Sequence, residues 1–144
     1  MTIAPQEMSD RLEVMSLLAR IAHLADDGDI DEYLDCFTPD GSWVLSDAQG
    51  LDLVPQVRTG REEIAEGVRE RREAGIQGPG TATKHDISSI EVEIDGDNAR
   101  ARSYFRYYTS TNRVPQLVAM GRYDDEFVRT VDGWRVSRRS ITRN

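Results

Sequence analysis

Several features that would point directly to a function are absent from this sequence. It has one cysteine among 144 residues, so neither a disulfide within the chain nor a cysteine-based zinc site can form. No apolar run approaches the roughly 20 residues that span a bilayer, and the N-terminus lacks the basic-then-apolar order of a signal peptide. We therefore expect a cytoplasmic protein that does not enter a membrane.

Basic residues are also scarce. The chain has 18 Lys and Arg against 26 Asp and Glu, which gives a net charge of −8. Nonspecific binding of nucleic acid requires a basic surface, so no nucleic-acid partner is expected. The sequence contains no glycine-rich phosphate loop, no paired metal-binding motif and no serine nucleophile elbow. It therefore predicts neither a metal site nor a cofactor.

The composition is that of a globular domain. Apolar residues make up 38% and charged residues 31% of the chain, a balance unlike that of a disordered segment. At this length we expect a single domain over residues 1–144, able to bury about 68–70% of its unfolded surface around a core and a small pocket. Cys36 fits a buried apolar residue better than a nucleophile, because no histidine lies near it in sequence.

The first part of the chain has the pattern of helices. Apolar residues recur at three- and four-residue spacing over residues 9–27, which predicts an amphipathic helix with Ser9 as its N-cap and Gly28 as its end. Asp29 is placed to cap a second, short helix over residues 30–37.

The next segment is mostly irregular in pattern. Residues 38–41 (Thr-Pro-Asp-Gly) predict a turn, and residues 42–45 predict a strand. Residues 47–57 contain glycine and proline without a clear period, which indicates a loop or a broken strand. Residues 59–62 resemble a capping box that opens a third helix, ending near residues 73–75.

From His85 onward the apolar residues alternate with a period of two, which is typical of strands. Residues 95–98 and 132–133 have the composition of hairpin turns, and a further turn is expected over residues 112–116. Short links make neighbouring strands antiparallel. The residues alone thus predict an α+β fold, with helices packed on one face of an antiparallel sheet.

Side-chain parity in the strand that begins at His85 requires an irregularity. Ile87 shares the parity of His85, whereas Ile90 and the two apolar residues that follow it have the opposite parity. A regular strand cannot send both sets to one core. We therefore expect a β-bulge at residues 88–89, a feature that re-aims side chains and is common beside active sites. With this bulge His85 can face inward.

A set of short segments, spread over nearly the whole chain, has an informative order and spacing. They are ADDGD at 25–29, FTPDGSW at 37–43, GREEI at 60–64, HDI at 85–87, DNARARSY at 97–104, GRYDDEF at 121–127 and DGWRV at 132–136. With these segments the chain resembles the SnoaL-like branch of the nuclear-transport-factor-2-like superfamily. That branch includes polyketide cyclases, scytalone dehydratase and a dehydrochlorinase.

The resemblance implies a cone-shaped α+β barrel, in which three N-terminal helices pack on a strongly curved, mixed but mostly antiparallel sheet around a pocket. It also implies a catalytic pair, an aspartate at the end of the first helix that orients a histidine base at the start of a strand. Asp26 and His85 occupy those positions. The second pocket histidine of scytalone dehydratase has no counterpart here, and Thr109 is the best match to it on that strand.

The chemistry of Asp26 and His85 suits proton transfer. A neutral imidazole can accept a proton at neutral pH, and a carboxylate on the other ring nitrogen fixes the tautomer and stabilises the imidazolium. A structural or exposed histidine beside Lys84 and Asp86 is the alternative for His85. Asp26 can also be only a last-turn helix residue, although a negative charge is unfavourable there against the helix dipole.

Large side chains on the predicted strands should form the walls of the core or of a pocket. Trp43, Phe105, Tyr107 and Tyr123, together with Thr109, are candidate contacts for a hydrophobic small-molecule substrate. Buried tyrosine hydroxyls need hydrogen-bond partners, so the two tyrosines are candidate donors to that substrate. A plain core role is the alternative for each of these aromatic residues.

Two functions are compatible with these features. The first is a cofactor-free lyase or isomerase, dehydratase- or cyclase-like, whose Asp–His pair abstracts a proton from a hydrophobic small molecule. The second is a non-catalytic small-molecule-binding protein or dimeric accessory protein of the same fold. In either case the face formed by Arg102, Tyr104, Arg106 and Tyr108 predicts a homodimer, because Tyr and Arg are enriched at interfaces.

Overall fold

The computed structural model describes residues 2–46 and 56–143. Their helices and strands are α1 Pro5–Asp27, α2 Ile30–Leu34, β1 Phe37–Leu45, β2 Gln56–Thr59, α3 Arg61–Glu73, β3 Lys84–Asp95, β4 Asn98–Thr109, β5 Gln116–Thr130 and β6 Gly133–Thr142. None of the helices within these ranges is long and apolar enough to cross a membrane.

The strands form one mixed sheet in the order β2-β1-β6-β5-β4-β3. β3 to β6 pair as an antiparallel series, and β2 pairs antiparallel with β1. β1 and β6 are parallel neighbours, a pairing that the short links in the sequence could not predict because it joins distant parts of the chain. The sheet is curved but not closed, and the helices cover its inner face, as the resemblance implied.

The core lies between α1, α3 and the inner face of the sheet. Val14, Leu18 and Ile21 form the buried stripe of α1, and Ile64 and Val68 form that of α3. Apolar side chains at these positions recur at helical spacing, so each helix presents one apolar face to the sheet. The sheet supplies the largest buried side chains, which are Phe37, Phe105, Phe127 and Trp134.

The predicted bulge in β3 is confirmed. The register of β3 against β4 shifts between Ser88 and Glu91, and Ser89 adopts a positive φ of 53°. Ile87 and Val92, on either side of the irregularity, both pack against the core. His85 therefore faces the helix layer at the start of the same strand.

The first two helices differ from the sequence prediction at their ends. α1 begins at Pro5 rather than after Ser9, since proline is well suited to the first helical turn, where no backbone N–H is required. α2 ends at Leu34, because Phe37 already belongs to β1. The predicted cap at Asp29 is confirmed, with its carboxylate accepting the N–H groups of Asp31 (2.8 Å) and Glu32 (3.2 Å).

Two further predictions in the middle of the chain are wrong. Residues 38–41 belong to β1 rather than to a turn, and the β1–β6 register shifts between Phe37 and Ser42 to accommodate them. Thr59 pairs with Ser42 as the last residue of β2, so it does not cap α3, which starts after Gly60 at a φ of 85°. Of the predicted loop at 47–57, residues 47–55 lie outside the described ranges.

A polar contact fixes the first half of α1 to the far end of the sheet. Asp10, which is buried, accepts two hydrogen bonds from Arg129, both 2.8 Å long, and one from the indole Nε1 of Trp134 at 3.1 Å. Arg129 also lies over the Trp134 ring and binds Asp97 at 3.0 Å. The hydrogen bonds from Arg129 hold the pKa of Asp10 well below its usual range.

We predict that Asp10→Asn makes the protein less stable at neutral pH and flattens its acid unfolding. A carboxyl with a lowered folded-state pKa stabilises the protein above its unfolded pKa of about 3.9, and this contribution is lost as the pH falls through the folded value. The gap between wild type and variant in urea midpoint should therefore be full at pH 7 and shrink below about pH 4. A gap that stays constant down to pH 2 would contradict the assignment. Asp27→Asn, at an exposed position, is the control.

Candidate functional site

The end of α1 and the start of β3 meet in a two-point contact between Asp26 and His85. Asp26 Oδ2 accepts the backbone N–H of His85 at 2.8 Å, and Asp26 Oδ1 lies 2.7 Å from the ring Nδ1. Both side chains are mostly buried, at 12% and 15% exposure. A carboxylate can only accept hydrogen bonds, so the tautomer with the proton on Nδ1 satisfies this contact and leaves the lone pair of Nε2 outside it.

The end of α1 is held in place by local features that the sequence encodes. Arg72 on α3 donates to the carbonyls of Leu24 (3.2 Å) and Gly28 (2.7 Å), which supplies a cation where the helix dipole favours one. A side chain at Gly28 would collide with Leu24, since its Cβ would lie 2.6 Å from the Leu24 Cα. The last turn of α1 therefore presents Asp26 to β3 in a fixed position.

His85 lines a cavity of about 320 Å³ between the helices and the sheet. This volume is at the low end of the range found for small-molecule sites. Asp26 does not line this cavity; it contacts His85 and lines a separate groove together with it. The apolar part of the cavity wall comes from both layers, namely Ile21, Ala22, Ala25, Leu45, Phe105 and Ile141.

Four of the five predicted substrate contacts line the cavity. They are Trp43, Phe105, Tyr107 and Tyr123, and Thr109 is not among the lining residues. The register of β4 against β5 shifts between Tyr107 and Tyr108, at the end of the part of β4 that faces the cavity. Thr109 is the last residue of β4 and lies beyond that shift, past the residues that line the cavity.

The tyrosines of the cavity differ in what their hydroxyls can do. Tyr107 packs against His85 with ring centroids 5.1 Å apart, and its hydroxyl donates to the carbonyl of Ile76. Its proton is thus engaged in holding the segment after α3. Tyr33 and Tyr123 have no hydroxyl partner among the residues described, and burial raises the pKa of both. Their hydroxyls therefore stay protonated and can donate.

Sequence reasoning missed Tyr33 and a buried ion pair in the cavity wall. Arg139 of β6 donates to both oxygens of Asp125 on β5, at 2.9 and 3.1 Å, and its guanidinium lies 3.8 Å from the centroid of the Tyr123 ring. Burial disfavours the charge of Arg139, but the facing Asp125 raises the Arg139 pKa above its usual value. A signal was present, because Arg139 shares the parity of the buried Ile141.

Two other cavity arginines, Arg71 and Arg143, were also missed. The Arg71 guanidinium lies 4.5 Å from the centroid of the Trp43 ring, and Arg143 follows the last strand. Arg71 belongs to a run of alternating charges that suggests a solvated helix face. Arg71 also continues the buried stripe of Ile64 and Val68 at helical spacing. This spacing is the signal from which a cavity-facing Arg71 could have been predicted.

Other sites in the molecule are less suited to chemistry. A depression on the outer face of the sheet is open to solvent and lined mostly by charged side chains. Over the described ranges, no three His, Cys, Asp or Glu side chains are grouped so that they could hold a metal ion. Cys36 is buried, and burial raises its pKa, which disfavours the thiolate.

Comparison with known proteins places this chain in a family. The SnoaL-like domain matches residues 6–140. An uncharacterized protein of Mycobacterium tuberculosis (strain ATCC 25618 / H37Rv) is 30% identical over 140 residues, which span 95% of this chain and 87% of the relative.

Solved structures of other proteins have a similar fold. An NTF2-like protein with a cystatin-like fold from Novosphingobium aromaticivorans has a TM-score of 0.80 at 24% identity, covering 96% of this chain and 84% of the other. A protein from Catenulispora acidiphila, solved in complex with S-DNPA, has a TM-score of 0.71 at 28% identity over 92% of each chain. The chain belongs to the SnoaL-like family.

Proposed function

We propose that this protein is a lyase or isomerase, dehydratase- or cyclase-like, that uses no cofactor and abstracts a proton from a hydrophobic small molecule. The observation that carries the proposal is the contact between Asp26 and His85 at the wall of the cavity. A mostly buried carboxylate holds one ring nitrogen, and the ring borders a space where a substrate can sit. The SnoaL-like fold is compatible with cyclase- and dehydratase-type enzymes.

In the proposed reaction His85 Nε2 takes a proton from a carbon next to a carbonyl group. The negative charge of Asp26 stabilises the imidazolium that forms, and the hydroxyls of Tyr33 and Tyr123 can donate to the developing enolate oxygen. The imidazolium then returns the proton, either to a departing hydroxide, which leaves as water, or to another carbon of the substrate. The first outcome is a dehydration, and the second is an isomerisation.

A binding protein without catalysis is the second candidate. The Catenulispora acidiphila relative was solved in complex with S-DNPA, which supports a ligand-binding role but says nothing of a reaction. The two candidates differ in one measurable property. A general base exchanges substrate protons with solvent even when the complete reaction is unknown, whereas a binding protein does not.

We predict that His85→Ala lowers proton exchange by about 10²- to 10⁴-fold, the usual contribution of a general base. The measurement is deuterium incorporation next to the carbonyl, followed by NMR in D₂O, over a panel of cyclic hydroxy-ketones and polyketide-like ketones. His23→Ala is the matched control, since His23 lies exposed on α1. A compound that is exchanged by wild type and equally fast by His85→Ala would refute the role of His85. Compounds that bind without exchanging would favour the binding protein.

We predict that Asp26→Asn also causes a large loss of exchange activity. Asparagine replaces one of the two accepting oxygens with an NH₂ donor, so one of the two contacts with His85 is lost or reversed, and the amide can stabilise the wrong imidazole tautomer. Asp27→Asn, one residue further at an exposed position, should retain activity. Circular dichroism shows whether the variants are folded, and a folded Asp26→Asn protein with wild-type exchange would contradict the orienting role.

We also propose that the protein forms a homodimer through the outer face of the sheet. Tyr104 and Met120 remain 45% and 46% exposed on adjacent strands, beside Arg106 and Arg122. Sedimentation at micromolar concentration should give a dimer, and Tyr104→Glu should weaken it because a buried unpaired charge is unfavourable. Val131→Glu, in the β5–β6 turn, is the control. A wild-type monomer under these conditions would contradict the proposal.

A further inference from the structure

The charges of the cavity wall are opposite in sign to those of the whole protein. The chain carries a net charge of −8, but within residues 2–46 and 56–143 the charged side chains that line the cavity are Arg71, Arg139, Arg143 and Glu70. An excess of arginine inside an acidic protein needs a reason, because burying a charge is costly unless it is paired.

Two of these charges are satisfied within the protein. Arg139 is held by both oxygens of Asp125, and both side chains are almost completely buried, at 5% and 0% exposure. Glu70 accepts a hydrogen bond from Arg58 at 2.7 Å. These groups form a neutral framework and leave no net charge for a ligand.

Arg71 and Arg143 are not satisfied in this way. In the described part of the chain, no carboxylate lies within 4.0 Å of either guanidinium, and burial lowers the pKa of both. The buried Nε of Arg143 has no hydrogen-bond acceptor among the same residues, and neither has the buried Nε2 of Gln77, which also lines the cavity. The residues of the cavity wall thus include N–H donors that have no acceptor within the described part of the chain.

The Arg71 guanidinium lies close to a glycine in the middle of α3. A Cβ at Gly67 would lie 3.1 Å from Arg71 Nη1 and 3.4 Å from Arg58 Nε. Glycine disfavours a helix interior, but here it leaves room for the guanidinium beside the helix. From that place Arg71 lies over the Trp43 ring at the cavity wall.

These arginines fit an anionic ligand group. The planar fork of arginine binds carboxylates and phosphates with two parallel hydrogen bonds, and in a cavity of about 320 Å³ the smaller, singly charged carboxylate leaves more room for an apolar body. The remaining wall is apolar and aromatic. We propose that the cavity takes a small hydrophobic molecule that carries a carboxylate, and that Arg71 and Arg143 bind this carboxylate.

This inference rests on the proposed function, because it names the substrate class of the same cavity, but its test requires no reaction. Binding is measured by isothermal titration calorimetry with cinnamate, indane-2-carboxylate and 2-naphthoate, each compared with its primary amide. The amide keeps the shape of the acid and removes the charge. At least one carboxylate should bind wild type about 10- to 100-fold more tightly than its amide, since hydrogen bonds between charged groups are worth that factor.

The variants Arg71→Gln and Arg143→Gln locate the effect. Each should reduce the preference for the carboxylate over the amide about tenfold or more, whereas Arg113→Gln, an exposed arginine in the turn after β4, should leave it unchanged. The ratio of carboxylate affinity to amide affinity is measured on the wild-type protein. It therefore tests the proposal even if one of the substitutions prevents folding. Equal binding of acids and amides, or no binding of any carboxylate up to millimolar concentration, would overturn the proposal.

The result can be separated from that of the proposed function. Tight binding of carboxylates, with no proton exchange on any compound of the ketone panel, would refute the enzyme and keep the ligand class. Exchange of uncharged ketones without any preference for carboxylates would refute the ligand class and keep the enzyme.

Discussion

The arrangement of the cavity depends on the carboxylate of Asp26. One of its oxygens accepts the backbone N–H at the start of β3, and the other accepts the ring N–H of the same residue, His85. Arg72 of α3 binds the backbone carbonyls around the end of α1. Three elements therefore meet around one residue, and a movement of any of them changes the orientation of the imidazole. The contact between Asp26 and His85 therefore both links α1 to β3 and orients the proposed proton acceptor.

The interior of the protein combines an apolar core with a polar cavity wall. The cost of burying these charges is reduced by pairing, since Arg139 and Asp125 neutralise one another on adjacent strands. The Tyr123 ring also covers the Arg139 guanidinium. Tyr123 in turn stacks on Phe105 at 4.6 Å, close to the aromatic side of His85. Packed aromatic rings therefore border the proposed base on the sheet side. On the helix side, Arg71 and Tyr33 complete the polar surface.

Much of the fold could be predicted from local patterns. Helical spacing in α1 and alternation in β3 to β6 locate these elements, because each buries one face. The bulge at Ser88 and Ser89 followed from parity alone, since a strand cannot send two sets of opposite parity to one core. The path of β1 could not be predicted. Its Thr-Pro-Asp-Gly stretch has the local chemistry of a turn, and only pairing with β6 makes it a strand.

The sequence by itself determined which two residues could form the acid–base pair. Asp26 is placed by the end of a helix and His85 by the start of a strand, and both positions are encoded locally and match the family pattern. Only the tertiary structure decided the rest of the cavity. Arg71 and Arg139 lie in charged stretches that are normally solvated, and Thr109 lies in an alternating strand that suggests a wall. Whether such a side chain faces the cavity depends on strand register and on partners such as Asp125, and neither is written in the neighbouring residues.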